Sequence, residues 1–283
     1  MSGLSAEVVR RVVAAALDED LGTAGDVTSR AIVPADARAT GSLVARERLV
    51  LAGVPVARAV FETLDPGVAF TVLCADGEIV EAGTCVARIT GDARAILAAE
   101  RTALNFLMRL SGIATAARAA VEEVRGTRAR ILDTRKTAPG LRVLDKYAVA
   151  TGGADNHRQG LFDAVLIKDT HLAVAGSIAH AVARARAAGH PPERITVEVG
   201  SLAELEQALD AGAGRALLDN LSVEEVRQAV QHARGRIVLE ASGGLGLGRL
   251  RPYAETGVDF LSVGQLTHSA RGSDFALDLE RTS

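Results

Sequence analysis

Tryptophan is absent from these 283 residues, and six phenylalanines and two tyrosines leave aromatics at only 3%. A core built under that restriction has to be filled by Ala, Val and Leu, and a hydrophobic share of 48% is ample for one. Cysteine is nearly as scarce. Cys74 and Cys85, both in an apolar-alternating stretch, could pair in principle, but nothing in the sequence requires a disulfide. They are expected to be buried structural thiols in a reducing cytoplasm. No run approaches the roughly 20 apolar residues of a membrane span. The opening stretch MSGLSAEVVRRVVAAALDEDLG carries Glu7, Asp18, Glu19 and Asp20 and has no uninterrupted apolar core behind a basic flank, so no signal peptide is expected. Excess charge of one sign is missing too: 32 basic against 35 acidic side chains give a net charge of -3. That argues against nucleic acid as a partner. An anion-binding surface would have to be a local cluster.

What is present falls into two textures. Residues 5–18 have helical spacing, with Val8, Val9, Val12, Val13 and Ala16 on one face and Ser5 at the start. From about 38 to 90 the pattern is that of strands, interrupted by a helical piece, VPVARAVFETLD. Asp76-Gly77 is a hairpin-turn signal there. DGEIVEAGTCVARITG has the half-barrel texture of biotinyl and lipoyl carrier domains, but it contains no lysine to modify, so it is taken as scaffold. Residues 92–124 read as helix, and Gly112 is expected to break it where the first domain hands over to the second.

Beyond that point the chain becomes rhythmic. Apolar runs at 131–133, 164–169, 195–200, 216–220, 236–244 and 258–264 alternate with helical segments, and the later ones recur every 20 to 25 residues, the length of one βα unit. Ser201 with Glu204, and Ser222 with Glu225, fit helix-opening capping boxes. Such a series makes a parallel α/β barrel or a doubly wound sheet. The barrel is favoured because no dinucleotide fingerprint opens the series; GGLGLG at 243–248 comes too late.

Charge collects where these runs end. In parallel α/β folds the loops after the strand C-termini build the site. Here they offer Asp133-Thr134-Arg135-Lys136, Lys168-Asp169, Glu198, Asp219-Asn220, Glu240 with Ser242-Gly243-Gly244, and Gly264. The signs are sorted. Arg135, Lys136, His157, Arg158 and Lys168 are basic, and Glu198 and Asp219 are acidic. Guanidinium groups suit carboxylate or phosphate. Two carboxylates suit a Mg²⁺ that keeps waters and touches substrate phosphate. Ser242, Gly243, Gly244 and Gly264 suit a phosphate held by backbone amides. The set points to substrates carrying several negative charges, one a phosphate ester. No histidine or cysteine grouping has zinc-ligand spacing and no serine elbow is present. His157 and His171 are ambiguous on their own; His180, His190, His232 and His268 are expected to be structural or exposed.

The segments DTRKTAPGLRVLDKYAV, GGADNHRQGLFDAVLIKDTH, LLDN, LEASGG and VGQLTHSA resemble the quinolinate phosphoribosyltransferase family. So do EDLGTAGDVTSRAIVPADARA, GVPVARAVFE and AERTALNFLMRLSGIAT in the first half. The resemblance implies an N-terminal α/β sandwich (1–111), a seven-stranded parallel α/β barrel (112–270), and a tail (271–283) packing back on the N-terminal domain. It implies transfer of a phosphoribosyl group from phosphoribosyl pyrophosphate to quinolinate with loss of CO₂, a requirement for Mg²⁺, and a homodimer, with larger assemblies left open. On this resemblance Lys168, Glu198 and Asp219 are catalytic, and Glu198 and Asp219 face the metal. Thr134, Arg135, Lys136, His157, Arg158, Ser242, Gly243, Gly244, Val263, Gly264 and Gln265 bind substrate. Arg101 reaches the neighbouring subunit's site. The chain departs from the family's usual pattern at Thr170, where Asn is usual, and at Thr196 and Gly200, where acids are usual. A paralogue acting on a related aromatic carboxylate is therefore one alternative. A non-catalytic phosphosugar-binding barrel and a lyase using Lys168 as a Schiff-base amine are others.

Overall fold

The computed structural model describes residues 4–282. In chain order the elements are α1 (Ala6–Leu21), α2 (Val27–Ile32), β1 (Arg38–Ala45), β2 (Leu49–Val50), α3 (Val54–Leu64), β3 (Ala69–Val72), β4 (Ile79–Val80), β5 (Cys85–Asp92) and α4 (Ala93–Glu123). There follow β6 (Arg130–Leu132), α5 (Arg142–Thr151), β7 (Val165–Ile167), α6 (Asp169–Ala175), α7 (Ile178–Ala187), β8 (Ile195–Val199), α8 (Leu202–Asp210), β9 (Arg215–Asp219) and α9 (Val223–Ala233). The last are β10 (Val238–Ser242), α10 (Leu250–Ala254), β11 (Phe260–Ser262), α11 (Gln265–His268) and β12 (Phe275–Thr282). They divide between two compact units, residues 1–118 with 138–153 and 270–283, and residues 119–137 with 154–269. The stretch 138–153, read from sequence as part of the barrel, groups with the first unit.

In the first unit an antiparallel sheet has the order β12-β1-β5-β3. The last strand pairs with β1 over its whole length, from Arg38 opposite Thr282 to Ala45 opposite Phe275. Helix α1 buries Val9, Val12 and Val13 of the face its spacing marks out, together with Leu17, while Val8 and Ala16 are half-buried. Ser5 has the extended backbone of an N-cap, but its hydroxyl makes no capping bond.

Three sequence expectations fail here, two of them for a tertiary reason. Asp76-Gly77 does make a turn, with Gly77 at φ 95, but the flanking strands do not form a hairpin: β3 pairs with β5, and β4 with β2. The Asp76 carboxylate instead caps α3, accepting from Gly53 N (2.7 Å) and Val54 N (3.1 Å), and also takes the Tyr147 hydroxyl. Burial, and then the bond to Asp76, push the Tyr147 phenol well above its ordinary value. Gly112 does not break its helix. A Cβ there would lie 2.1 Å from the Arg271 carbonyl oxygen, so the glycine admits a backbone crossing. The cysteines are half-buried rather than fully buried, and both are free thiols.

The second unit has a parallel sheet ordered β6-β11-β10-β9-β8-β7, its strands joined by the helical segments the rhythm predicts. Ser222 and Glu225 make the full reciprocal box at α9; at α8 the Ser201 hydroxyl caps Glu204 N while the Glu204 carboxylate turns to Gly200 N. Seven strands are expected and six belong to the sheet. The seventh place, beyond β6, is held by Asp155 alone, through one parallel bridge to Leu132. The sheet is strongly curled. His157, just past that bridge, is three strand positions from β10, about 14 Å in a flat sheet. Its Nε2 nonetheless lies 3.3 Å from Glu240 Oε1 on β10. Only an approach across a barrel lumen brings the two together.

Candidate active site

One cavity of about 1080 Å³ opens within the second unit. The ends of all six strands border it, through Thr134, Arg135 and Lys136 after β6, Lys168 after β7, Glu198 on β8, Asp219 on β9, Ser242 on β10 and Gly264 after β11. Its volume exceeds the usual range for one drug-sized ligand and suits two substrates together.

The basic wall is built by two turns. After β6 the Thr134 hydroxyl accepts from Lys136 N at 3.1 Å, folding the chain back as Ser and Thr do in tight turns. Asp133 points the other way. It is fully buried, accepting from Asn156 Nδ2 at 2.8 Å and from His157 N at 2.7 Å. That tie lays the segment carrying His157 and Arg158 beside Arg135. Burial, and after it the Arg135 guanidinium, lower the Arg158 pKa, the sign of like charges crowded together. Arg135 Nε is buried and makes no hydrogen bond to the protein. An unsatisfied buried donor costs on the order of 1–3 kcal/mol, which an anion could recover.

The carboxylates lie on the neighbouring strands β8 and β9. Lys168 Nζ donates to Glu198 Oε2 at 2.8 Å. Asp219 accepts from Asn220 Nδ2 at 2.7 Å. Among the described residues no group of three or more metal-binding side chains exists. Glu198 and Asp219 therefore offer an all-oxygen pair, which suits a Mg²⁺ completed by waters and substrate phosphate and not a metal caged by protein alone.

The glycine wall follows β10. Asn220 sits at φ 57, and a Cβ on Gly243 would fall 2.3 Å from its Oδ1, so these two loops meet only because Gly243 lacks a side chain. The far end of the loop is pinned by Glu123, whose carboxylate accepts from the backbone N–H groups of Gly248, Leu250 and Arg251.

The cavity thus brings together Thr134, Arg135, Lys136, His157, Arg158, Lys168, Glu198, Asp219, Ser242, Gly243, Gly244, Gly264 and Gln265. It does not include Val263, whose side chain is fully buried and whose N–H bonds to the Leu132 carbonyl. Arg101 does not line it either and is exposed on α4 in the other unit. His268, read as structural or exposed, is exposed and lies on the rim. His171 caps its own helix, its Nδ1 accepting from Lys168 N.

Sequence reasoning placed Glu240 at a strand end but assigned it no role in the site. Glu240 is completely buried. Burial works to raise its pKa, yet bonds from His157 and Ser262 and the charge of Arg215 hold it below the ordinary carboxylate value. Glu123 had no signal at all, because it lies at the end of a long helix far from the loop in sequence. Of the three departures, Thr196 is buried within β8, paired to Arg215 of β9, and Thr170 and Gly200 are exposed.

Residues 26–111 match the quinolinate phosphoribosyl transferase N-terminal domain, and residues 113–278 match the C-terminal domain of the same family. The chain is 45% identical to the carboxylating nicotinate-nucleotide pyrophosphorylase of Mycobacterium leprae, over 99% of this chain and all of that one. It is 40% identical to a probable enzyme of the same name from Bacillus subtilis, over 92% of this chain and 90% of the other. The solved nicotinate-nucleotide pyrophosphorylase of Francisella tularensis superimposes with a TM-score of 0.93 at 40% identity, covering 98% of each chain. With both of its domains matched and relatives this similar along nearly their whole length, the chain belongs to the quinolinate phosphoribosyltransferase family.

Proposed function

We propose that this protein transfers the 5-phosphoribosyl group of phosphoribosyl pyrophosphate to the ring nitrogen of quinolinate, with decarboxylation to nicotinate mononucleotide, CO₂ and pyrophosphate, a step of NAD biosynthesis. The observation that carries the reading is the sorting of charge around one cavity. Arg135, Lys136 and Arg158 line one part of it, Glu198 and Asp219 on the neighbouring strands β8 and β9 a second, and a glycine loop a third. A dicarboxylate acceptor belongs on the first, the ribose and pyrophosphate on the second, and the 5-phosphate on Ser242, Gly243 and Gly244.

The pyridine nitrogen forms a bond to C1′ as the bond from C1′ to pyrophosphate breaks. The nucleophile is weak, so most of the gain comes from holding it in line with an oxocarbenium-like carbon, whose positive charge carboxylates favour. Glu198 and Asp219 serve the ribose hydroxyls and C1′, and Lys168 holds Glu198 in place. Loss of the 2-carboxylate as CO₂ leaves the electron pair on C2, where the adjacent quaternised ring nitrogen stabilises it as an ylide, and a proton taken up from solvent at C2 completes nicotinate mononucleotide. Glu198 and Asp219 are the residues that would hold Mg²⁺, which when bound neutralises pyrophosphate charge. The Lys168 ammonium is already engaged by Glu198 at 2.8 Å, which weighs against a Schiff-base lyase.

The exposed position of Arg101 on α4 supports a homodimer in which it serves the partner's site. Free thiols, and the lack among described residues of any helix long and apolar enough to cross a membrane, support a cytoplasmic location. The deciding experiment assays purified protein with phosphoribosyl pyrophosphate, Mg²⁺ and a panel of pyridine carboxylates, following CO₂ and pyrophosphate. Quinolinate-dependent release of both is expected. Preference for another aromatic acid would move the protein to the paralogue reading.

A further inference from the structure

His157 counts as one cation of the basic wall by residue type, but its hydrogen bonds give it a different task. Arg158 N donates to its Nδ1 at 2.8 Å. A backbone N–H can only donate, so Nδ1 carries a lone pair and the ring proton sits on Nε2. That nitrogen faces Glu240 Oε1 at 3.3 Å, and the ring is only 11% exposed. Both ring nitrogens are therefore engaged within the protein. The backbone N–H of His157 is engaged too, by Asp133 Oδ1 at 2.7 Å.

Glu240 is the other end of this arrangement. It is fully buried in the cavity floor, where an isolated carboxylate would be very costly. Arg215 Nη1 approaches its Oε2 at 3.3 Å, and the Ser262 hydroxyl donates to its Oε1. The Arg215 guanidinium stacks over Phe260, 4.5 Å from the ring centroid, so this partner is itself held by packing. A chain of contacts thus runs from a fixed charge inside the barrel, through an imidazole, to the backbone of a cavity-lining arginine.

We propose that Glu240 is a positioning residue which, through His157 held with its proton on Nε2, sets the placement of Arg158 against a carboxylate of the acceptor. The proposal rests on the quinolinate reading above for the identity of that acceptor. It makes His157 a neutral spacer, not a cation, and leaves Arg135, Lys136 and Arg158 to carry the positive charge of that wall. A buried carboxylate is suited to the task because it has one well-defined place, whereas a surface acid would move with solvent.

Two measurements test it. In the resting wild-type protein labelled with ¹⁵N, long-range proton–nitrogen spectra of the imidazole rings distinguish the two tautomers and the imidazolium. Comparison with His157→Gln assigns the His157 signals among the six histidines. The expected result at neutral pH is a protonated Nε2 and an unprotonated Nδ1. An imidazolium, or a proton on Nδ1, overturns the proposal. This spectrum needs no turnover, so it is independent of whether quinolinate is the substrate; inactivity of the wild type with quinolinate would instead overturn the functional reading. The second measurement is steady-state kinetics of Glu240→Gln. The KM for quinolinate is expected to rise about ten-fold, equivalent to one lost hydrogen bond to a charged group, with the KM for phosphoribosyl pyrophosphate changed less than about two-fold. Parallel changes in both constants, as from a merely loosened fold, or no change in either, overturn it. If Glu240→Gln does not fold, Ser262→Ala, which removes a second contact to the same carboxylate, takes its place in the kinetic test with the same expected split.

Discussion

Lys168 Nζ donates to Glu198 Oε2 over 2.8 Å and joins the C-terminal ends of the neighbouring strands β7 and β8. The pair sits at the boundary between the basic and acidic walls, so each side chain places the other. Replacing Lys168 by Ala is expected to lower kcat/KM at least about a hundred-fold, the scale of removing one preorganised electrostatic group. The far-ultraviolet circular dichroism should stay that of the wild type. A Lys168→Ala enzyme with near-normal turnover would remove this residue from the mechanism.

Arg135 supplies an unsatisfied buried donor and a like charge beside Arg158. Arg135→Ala should therefore weaken acceptor binding strongly while slightly relieving the free protein. Calorimetric titration with quinolinate should show lost affinity, and thermal unfolding should show no loss of stability. A large drop in melting temperature would mean that Arg135 is a structural brace.

Arg101 is exposed on α4 and is not among the residues that line the cavity of the second unit. If it serves the partner's site, mixing Arg101→Ala protein with Lys168→Ala protein should regenerate activity through hybrid dimers, in which one site carries neither change. At free exchange, half the dimers are hybrids and about a quarter of the wild-type activity is the ceiling. No recovery after verified subunit exchange would refute the arrangement in trans.

Glu240 has its pKa held below the ordinary 4.5. The sign of the linkage follows. Above that value the unfolded chain is ionised as well, and the folded state's preference for the carboxylate contributes fully; as pH falls through the lower folded value, the contribution disappears. Glu240→Gln should thus cost about 3 kcal/mol at pH 7, the scale of breaking a buried ion pair. The gap from wild type should narrow as the pH is lowered below 4.5. Denaturant unfolding at pH 7 and at acidic pH measures both, and a gap that widens on acidification contradicts the assignment.

Gly112 lies against the Arg271 carbonyl, where a Cβ would sit at 2.1 Å. Gly112→Ala should destabilise the protein by about 3 kcal/mol, the upper range for overpacking, although alanine is the better helix former. Stabilisation instead would mean that the crossing backbone yields easily.

Much of this protein was legible before any fold was known. The alternation of apolar runs with helical segments located every strand of the second unit, because side-chain period is a local property of the chain. The acids and bases closing those runs were legible for the same reason: a strand end is a local feature, and in a parallel sheet all such ends lie on one side. Lys168, Glu198 and Asp219 could therefore be named from sequence and meet in one cavity.

What only the tertiary structure decided depends on residues far apart in the chain. Glu240 is 83 positions from His157, and the curl of the sheet, not any local pattern, carries one to the other across the lumen. Asp76 signalled a hairpin, but the N-terminus of α3 and the Tyr147 hydroxyl took its carboxylate. Gly112 signalled a break, but a neighbouring backbone needed the space. Residue type and spacing state what a side chain is able to do; which partner claims it is settled by the competition for burial and hydrogen bonds once the chain has closed on itself.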